Sequence, residues 1–189
     1  MSIVEITNIK TALVVGPIYD KIEKLETIDN LNNKYDKIIL MGSIFYTSKS
    51  NQDIEERLNL IKKYSKITYL ISDLDLLAAY RNKNYYLKHI PNCAILKTNN
   101  KFPIIITSGG LQPNTKNLDN LELSFINYIN NQPWHNLYNG NLGYIISNNP
   151  LSKNKPEYYN YSMQLGNYIN NNTYAQEINE NGLAQMVII

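Results

Sequence analysis

The chain has 189 residues and a formal net charge of +2, with 43% hydrophobic and 18% charged residues. A folded, water-soluble protein has this balance, whereas a disordered chain carries fewer apolar side chains. The small net charge excludes a nucleic-acid interface built from clustered cations. Arg57 and Arg81 are the only arginines, so only these two side chains could form bidentate hydrogen bonds to phosphates. Because one hydrophobic core can serve up to roughly 200 residues, we predict a single domain spanning 1–189.

Cys93 is the only cysteine, so the chain has no internal disulfide, which fits a reducing compartment. Glu5 and Asn8 fall where a signal peptide needs a continuous apolar stretch, and no later run reaches membrane-spanning length. We therefore expect a soluble, cytoplasmic protein without a membrane partner. The Asn-, Ile-, Lys- and Tyr-rich composition is also compatible with an AT-rich viral genome and a place in a virion.

Short apolar runs alternate with amphipathic segments in the first part of the chain. The runs at 11–16, 36–42 and 66–72 are typical of strands buried on both faces. Residues 20–34 and 52–65 have apolar side chains at helical spacing with charges between them. This alternation predicts a parallel βαβαβ unit with right-handed crossovers.

The alternation of strand and helix patterns ends after the third strand. Residues 93–97 and 102–110 are apolar and are separated by a hairpin-like spacing, and residues 117–131 carry a helical apolar stripe. Further strands, divided by Asn and Gly turns, are expected in four segments: 143–149, 161–169, 173–178 and 182–189. The sequence thus predicts an α/β protein in which mixed and antiparallel strands follow the parallel start, with helices on the outer faces.

Five loops follow strands at their carboxyl ends, where open α/β sheets bind ligands. They are GPIYD (16–20), GSIFYTS (42–48), SDLDLL (72–77), TSGGL (107–111) and SNNP (147–150). Their order, spacing and flanking strands resemble those of the calcineurin-like metallophosphoesterases. The resemblance extends over nearly the whole chain, with TSGGLQP and YLISDLDLL as its closest local matches. It implies a metallophosphoesterase-like α/β sandwich.

Members of that family use two metal ions, about 4 Å apart, to bind a phosphate ester and to generate a hydroxide nucleophile. Carboxylates, imidazoles and an amide hold the ions, because hard divalent metals prefer oxygen and nitrogen ligands. The resemblance implies that none of the family's histidines is retained. The former site positions fall on Pro17, Tyr19, Ser43, Tyr46, Asp73, Leu74, Asp75, Ser108 and Asn148.

These replacements lead to the expectation of a catalytically inactive member. Pro17 and Leu74 cannot ligate a metal, and a neutral Ser43 cannot replace the carboxylate that bridges two cations. We therefore expect no catalytic residue, no bound metal and no cofactor. The expected role is that of a protein-binding or structural module.

Two alternatives remain open from the residues alone. A weak metal-dependent phosphoesterase could use a rebuilt site made of Asp20, Asp73, Asp75 and Asn148, although Asp75 as the N-cap of the next helix is the ordinary interpretation. A sensor could instead bind phosphate or a nucleotide without hydrolysis, through loop N–H groups and hydroxyls. Those hydroxyls would belong to Ser43, Ser72 and Ser108.

A tyrosine-rich tract at 156–168 is a candidate interaction surface. Tyrosine is enriched in protein interfaces, so Tyr158, Tyr159 and Tyr161, together with Trp134, could bind another protein or a second copy of the chain. Alternation of tyrosines along a half-exposed strand explains the tract equally well. The two histidines, His89 and His135, fall on no family motif.

Overall fold

The computed structural model describes residues 3–19, 21–64, 66–84, 86–99, 103–108, 144–147, 157–159, 162–164 and 173–189. The strands are β1 (Ile3–Ile6), β2 (Thr11–Val15), β3 (Lys37–Met41), β4 (Ile67–Leu70), β5 (Cys93–Leu96), β6 (Ile104–Thr107), β7 (Tyr144–Ser147), β8 (Glu157–Tyr159), β9 (Ser162–Gln164), β10 (Tyr174–Asn179) and β11 (Gly182–Ile188). The α-helices are α1 (Lys24–Asp29), α2 (Asn51–Lys62) and α3 (Asp73–Arg81), and short 3-10 turns occur at Asn30–Asn33 and Leu87–His89.

The strands form two sheets. One sheet has the order β11-β10-β2-β3-β4, in which β2, β3 and β4 are parallel and β10 runs antiparallel to β2. The other has the order β1-β5-β6-β7-β9-β8 and mixes parallel with antiparallel pairs. The predicted βαβαβ unit and the mixed sheet that follows it are both confirmed.

The central strands β2 and β3 of the first sheet are buried on both faces, which explains their continuously apolar sequences. On β2, Leu13 and Val15 belong to a core with the helices, whereas Ala12 and Val14 belong to a core shared with the second sheet. All four side chains are inaccessible to solvent. The layers are therefore helices, sheet and sheet, which confirms the predicted α/β sandwich.

Two local predictions differ from the structure. The helix predicted over 20–34 contains only six α-helical residues, and its last part is a 3-10 turn with the sequence NLNN. Asparagine is a weak helix former because its side chain competes for backbone hydrogen bonds. Strand β1 was not predicted, since its four residues include Glu5 and give too short a pattern. The helix predicted at 117–131 lies outside the described residues.

None of the helices in the described part of the chain is long and apolar enough to cross a bilayer. Helices α1 and α3 have six and nine residues, whereas a spanning helix needs about 20. The twelve-residue α2 also carries several charges.

Candidate functional site

The carboxyl ends of β2, β3 and β4 meet at one edge of the first sheet because these strands are parallel. The loops that begin at Gly16, Gly42 and Ile71 therefore lie side by side. The fourth loop joins them from the second sheet: Ser108, directly after β6, is fully buried and donates its hydroxyl hydrogen bond to the Ile71 carbonyl. The structure thus brings four of the five predicted loops to one edge.

The second loop begins with two residues in the left-handed region. Gly42 has φ +61°, and Ser43 has φ +68°. A Cβ atom on Gly42 would lie 2.4 Å from the Cβ of Ser72, so only glycine fits there. Ser43 is a non-glycine residue in a conformation that costs about 1–2 kcal/mol, and it is completely buried. Such backbone strain persists only where surrounding contacts fix it.

The Asp75 carboxylate supplies those contacts from α3. Its Oδ2 accepts hydrogen bonds from the Ser43 N–H at 2.7 Å and from the Tyr69 hydroxyl at 2.5 Å, and its Oδ1 accepts one from the Phe45 N–H at 2.7 Å. Ser72 donates to Oδ2 through both its N–H and its hydroxyl, at 3.0 and 2.9 Å. Asp75 and these four partner residues form what we call the Asp75 network.

Helix α3 begins with a capping box. The Ser72 hydroxyl accepts from the Asp75 N–H at 3.1 Å, while the Asp75 carboxylate accepts from the Ser72 N–H. The capping role predicted for Asp75 is correct, but its position is not: Ser72 is the N-cap, and Asp75 is the third helical residue. The S-x-x-D spacing of a capping box was already visible in the sequence.

Burial governs the electrostatics of the network. It raises the pKa of Asp75, while hydrogen bonds from Tyr69, Ser72, Phe45 and Ser43 act in the opposite direction. Burial and the neighbouring Asp75 raise the pKa of Tyr69 well above its ordinary value, so this hydroxyl stays protonated and donates. Every contact to the carboxyl oxygens comes from a donor, which is the arrangement that suits an ionised carboxylate.

Bulky side chains are frequent on the first two loops of this edge. Phe45 is fully buried and packs edge-on against Tyr69, with ring centroids 5.6 Å apart. Pro17 is buried, and Tyr19 is half-buried with φ +43°. Tyr46 is half-buried, and the Arg81 guanidinium lies 5.9 Å from its ring centroid. Phe45 thus fills space directly beside Tyr69 and the Asp75 network.

The described residues do not fit a two-metal centre. Asp75 is fully committed to internal hydrogen bonds, and the buried Ser43 hydroxyl donates to the Ser72 hydroxyl at 3.2 Å. Leu74 and Pro17 offer no ligand atom. Within the described part of the chain, no three His, Cys, Asp or Glu side chains come together as a metal site. A cation site that uses Asp75 is therefore ruled out by its surroundings.

Several predicted positions lie wholly or partly outside the described residues. Asp73 is the first residue of α3, and Tyr158 and Tyr159 lie on β8, but only their backbone is described. Asn148, Asp20, Trp134, Tyr161 and His135 lie outside the described residues. His89, which falls on no motif, is exposed beside Tyr86, with ring centroids 6.4 Å apart.

Tyr69 is the functional-site residue that the sequence interpretation missed. It lies on β4 within an apolar run, where a tyrosine normally indicates strand propensity. A tyrosine hydroxyl needs a partner when it is buried, and an aspartate six residues later was the available signal. The sequence alone did not show that the turn after β4 brings the two together.

Comparison with solved structures identifies the fold of this chain. No family model matches the chain, and no curated protein sequence matches it. A crystal structure described as "a putative diadenosine tetraphosphatase" is 13% identical, with a TM-score of 0.59, and the match covers 98% of this chain and 97% of that one. The chain has a metallophosphoesterase-like fold. The resemblance stated from its loops is thereby confirmed at the level of the fold.

A second structure, a "predicted phosphoesterase" from Streptococcus pneumoniae, is 10% identical with a TM-score of 0.44, and covers 97% of this chain and 100% of that one. That score is too low to add to the argument. Our prediction that the chain is no enzyme is contradicted by the first comparison, because a protein with this metallophosphoesterase-like fold is described as "a putative diadenosine tetraphosphatase". The expectation of a pseudo-phosphoesterase is therefore withdrawn.

Proposed function

We propose that the chain is a phosphoesterase that acts on a phosphate ester of the nucleotide class. The fold carries this proposal, because nearly the whole chain aligns with a structure described as "a putative diadenosine tetraphosphatase". The convergence of loops at the carboxyl edge of β2, β3 and β4 supports it further, since ligands of open α/β sheets bind there.

The catalytic groups proposed here differ from those of the family. Asp75 is excluded because its oxygens hold the second loop. Asp73, at the first position of α3, is the carboxylate nearest to Asp75 in sequence. Asp20 follows β2, which ends at this edge, and Asn148 follows β7 of the second sheet. A carboxylate within reach of a water can act as its general base, an effect worth about 10²–10⁴-fold in rate. We assign that role to Asp73, with Asp20 and Asn148 as supporting polar groups.

Hydrolysis of diadenosine tetraphosphate and of bis(p-nitrophenyl) phosphate tests the proposal. The assays compare the wild-type protein with Asp73→Asn, in the presence of manganese and in the presence of a chelator. The matched control is Glu56→Gln, which neutralises an exposed carboxylate on α2 that contacts only Gln52 among the hydrogen bonds described.

The proposal predicts turnover by the wild type and by Glu56→Gln, and a loss of about 100-fold or more in Asp73→Asn. Turnover that is equal in all three proteins would remove Asp73 from the mechanism. Absence of turnover above background with both substrates, in a folded sample, would contradict a phosphoesterase function.

A second candidate function is binding of a second copy of the chain through β8. In the described residues, β8 is the terminal strand of its sheet, next to β9. A terminal strand offers unpaired backbone groups that can pair with another strand. Its sequence, EYY, contributes Tyr158 and Tyr159, of the type enriched in interfaces.

Sedimentation velocity tests this second function. Self-association that is lost in a Tyr158→Ala, Tyr159→Ala double variant, and retained in the control Tyr86→Ala, would support it. Tyr86 is a suitable control because it is 56% exposed on another part of the surface. A wild-type protein that stays monomeric at high concentration would contradict it. A place in a virion remains a prediction from composition.

A further inference from the structure

The loop that leaves β3 is held by protein groups at the position where the resemblance places a bridging metal ligand. Ser43 occupies the position of that ligand, and its N–H is shared between Asp75 Oδ2 at 2.7 Å and the Ser72 hydroxyl at 3.1 Å. The next N–H but one, that of Phe45, donates to the other oxygen of Asp75. One carboxylate thus binds two N–H groups of the loop and anchors them to α3.

The loop needs such an anchor because its backbone is strained. Ser43 is buried in the left-handed region, and the preceding Gly42 has the same sign of φ. The contacts that fix this turn come from one anion, because the Asp75 carboxylate accepts from the Ser43 N–H and from the Phe45 N–H.

We propose that the Asp75 carboxylate replaces a metal centre in fixing the 42–48 loop, so that this edge keeps its shape without divalent ions. The Tyr69 hydroxyl and the Ser72 hydroxyl complete the coordination of the carboxylate from β4 and from the helix cap. The inference stands apart from the proposed hydrolysis, since it concerns what holds the loop and holds whether or not the chain turns over a phosphate ester.

Residue-resolved amide hydrogen exchange on the full chain tests this inference. In the wild type, the amides of Ser43 and Phe45 are expected to exchange slowly, and at rates that do not change on addition of EDTA or of manganese. In Asp75→Asn, one N–H of the new amide group faces the donors, so at least one loop N–H loses its acceptor. Exchange of the Ser43 amide, of the Phe45 amide or of both should then accelerate about tenfold or more.

The strand amides of Ile39 and Leu40 serve as the internal control, because they lie in the parallel ladder of β3. Their unchanged protection in Asp75→Asn shows that the sheet is intact. Faster exchange of the wild-type Ser43 and Phe45 amides after chelation would overturn the inference, as would their full protection in Asp75→Asn. The chelation experiment needs no variant, so it decides the question even where Asp75→Asn fails to fold.

Discussion

The backbone N–H of Phe45 donates a 2.7 Å hydrogen bond to the carboxylate of Asp75, which lies 30 residues further along the chain. This contact joins the loop after β3 to the first turn of α3. Both partners are inaccessible to solvent, so water cannot replace a bond that is lost. The stability of this edge is therefore expected to depend on every donor that surrounds Asp75.

Tyr69→Phe tests one such donor. The change removes the hydroxyl that donates to Asp75 at 2.5 Å and accepts from the Ile44 N–H at 3.3 Å. Loss of a hydrogen bond to a buried charged group should lower the free energy of unfolding by about 1–3 kcal/mol, measured by urea denaturation. Tyr86→Phe, at an exposed position, should stay within about 0.5 kcal/mol of the wild type. Equal stability of both variants would contradict the role assigned to Tyr69.

Gly42→Ala tests the close approach of the second loop to the helix cap. A Cβ at this position would meet the Ser72 Cβ at 2.4 Å, and the residue has φ +61°. Steric overlap and left-handed strain together should cost about 3 kcal/mol, measured as a shift of the urea midpoint. Gly42→Asn separates the two effects, because asparagine tolerates the left-handed region. Near wild-type stability of Gly42→Asn would show that strain, and not the overlap, is decisive.

Asp36 should make stability depend on pH at the acid end. Its carboxylate accepts hydrogen bonds from the N–H groups of Lys10 and Thr11, and these two bonds lower the pKa of Asp36. A lowered folded-state pKa contributes stability above the unfolded value of about 3.9. That contribution is lost as the pH falls through the folded-state pKa. The difference in urea midpoint between wild type and Asp36→Asn should therefore shrink below about pH 4; a constant difference would contradict the prediction.

Cys93 should be unreactive in the folded protein. The thiol is fully buried on β5, and burial raises its pKa to about 11. Only the thiolate attacks a disulfide reagent, so at pH 8 the reaction with Ellman's reagent should be more than about 100-fold slower than in denaturant. Rapid release of one thiol equivalent from the native protein would mean that β5 is more accessible than its burial indicates.

The fold could be predicted largely from the sequence because strands such as β2 and β3 are buried on both faces. Residues such as Leu13 and Val14 point into different cores, so no polar residue interrupts β2 and the strand is visible as an apolar run. Strand β1 gave no such pattern, because Ile3 and Glu5 are exposed at the edge of the second sheet. Pairing at a sheet edge depends on tertiary contacts that a four-residue segment does not encode.

The candidate site was predictable in position but not in its interactions. Parallel strands bring their loops to one edge, so the approach of Ser43 to Ser72 follows from topology. The sequence allowed two roles for Asp75, helix capping and cation binding, because an aspartate side chain can do either. Only the structure placed Tyr69 and two loop N–H groups around its carboxylate. The expectation of an inactive protein failed for a related reason: motif positions alone do not decide what other residues of a fold can do.

Metal content tests the central claim, that protein groups and not a two-metal centre hold this edge of the sheet. The purified chain is dialysed against manganese, freed of excess ion, and measured by elemental analysis against protein concentration. The Asp75 network predicts less than one manganese ion per chain. About two ions per chain, the number that a two-metal mechanism requires, would contradict it.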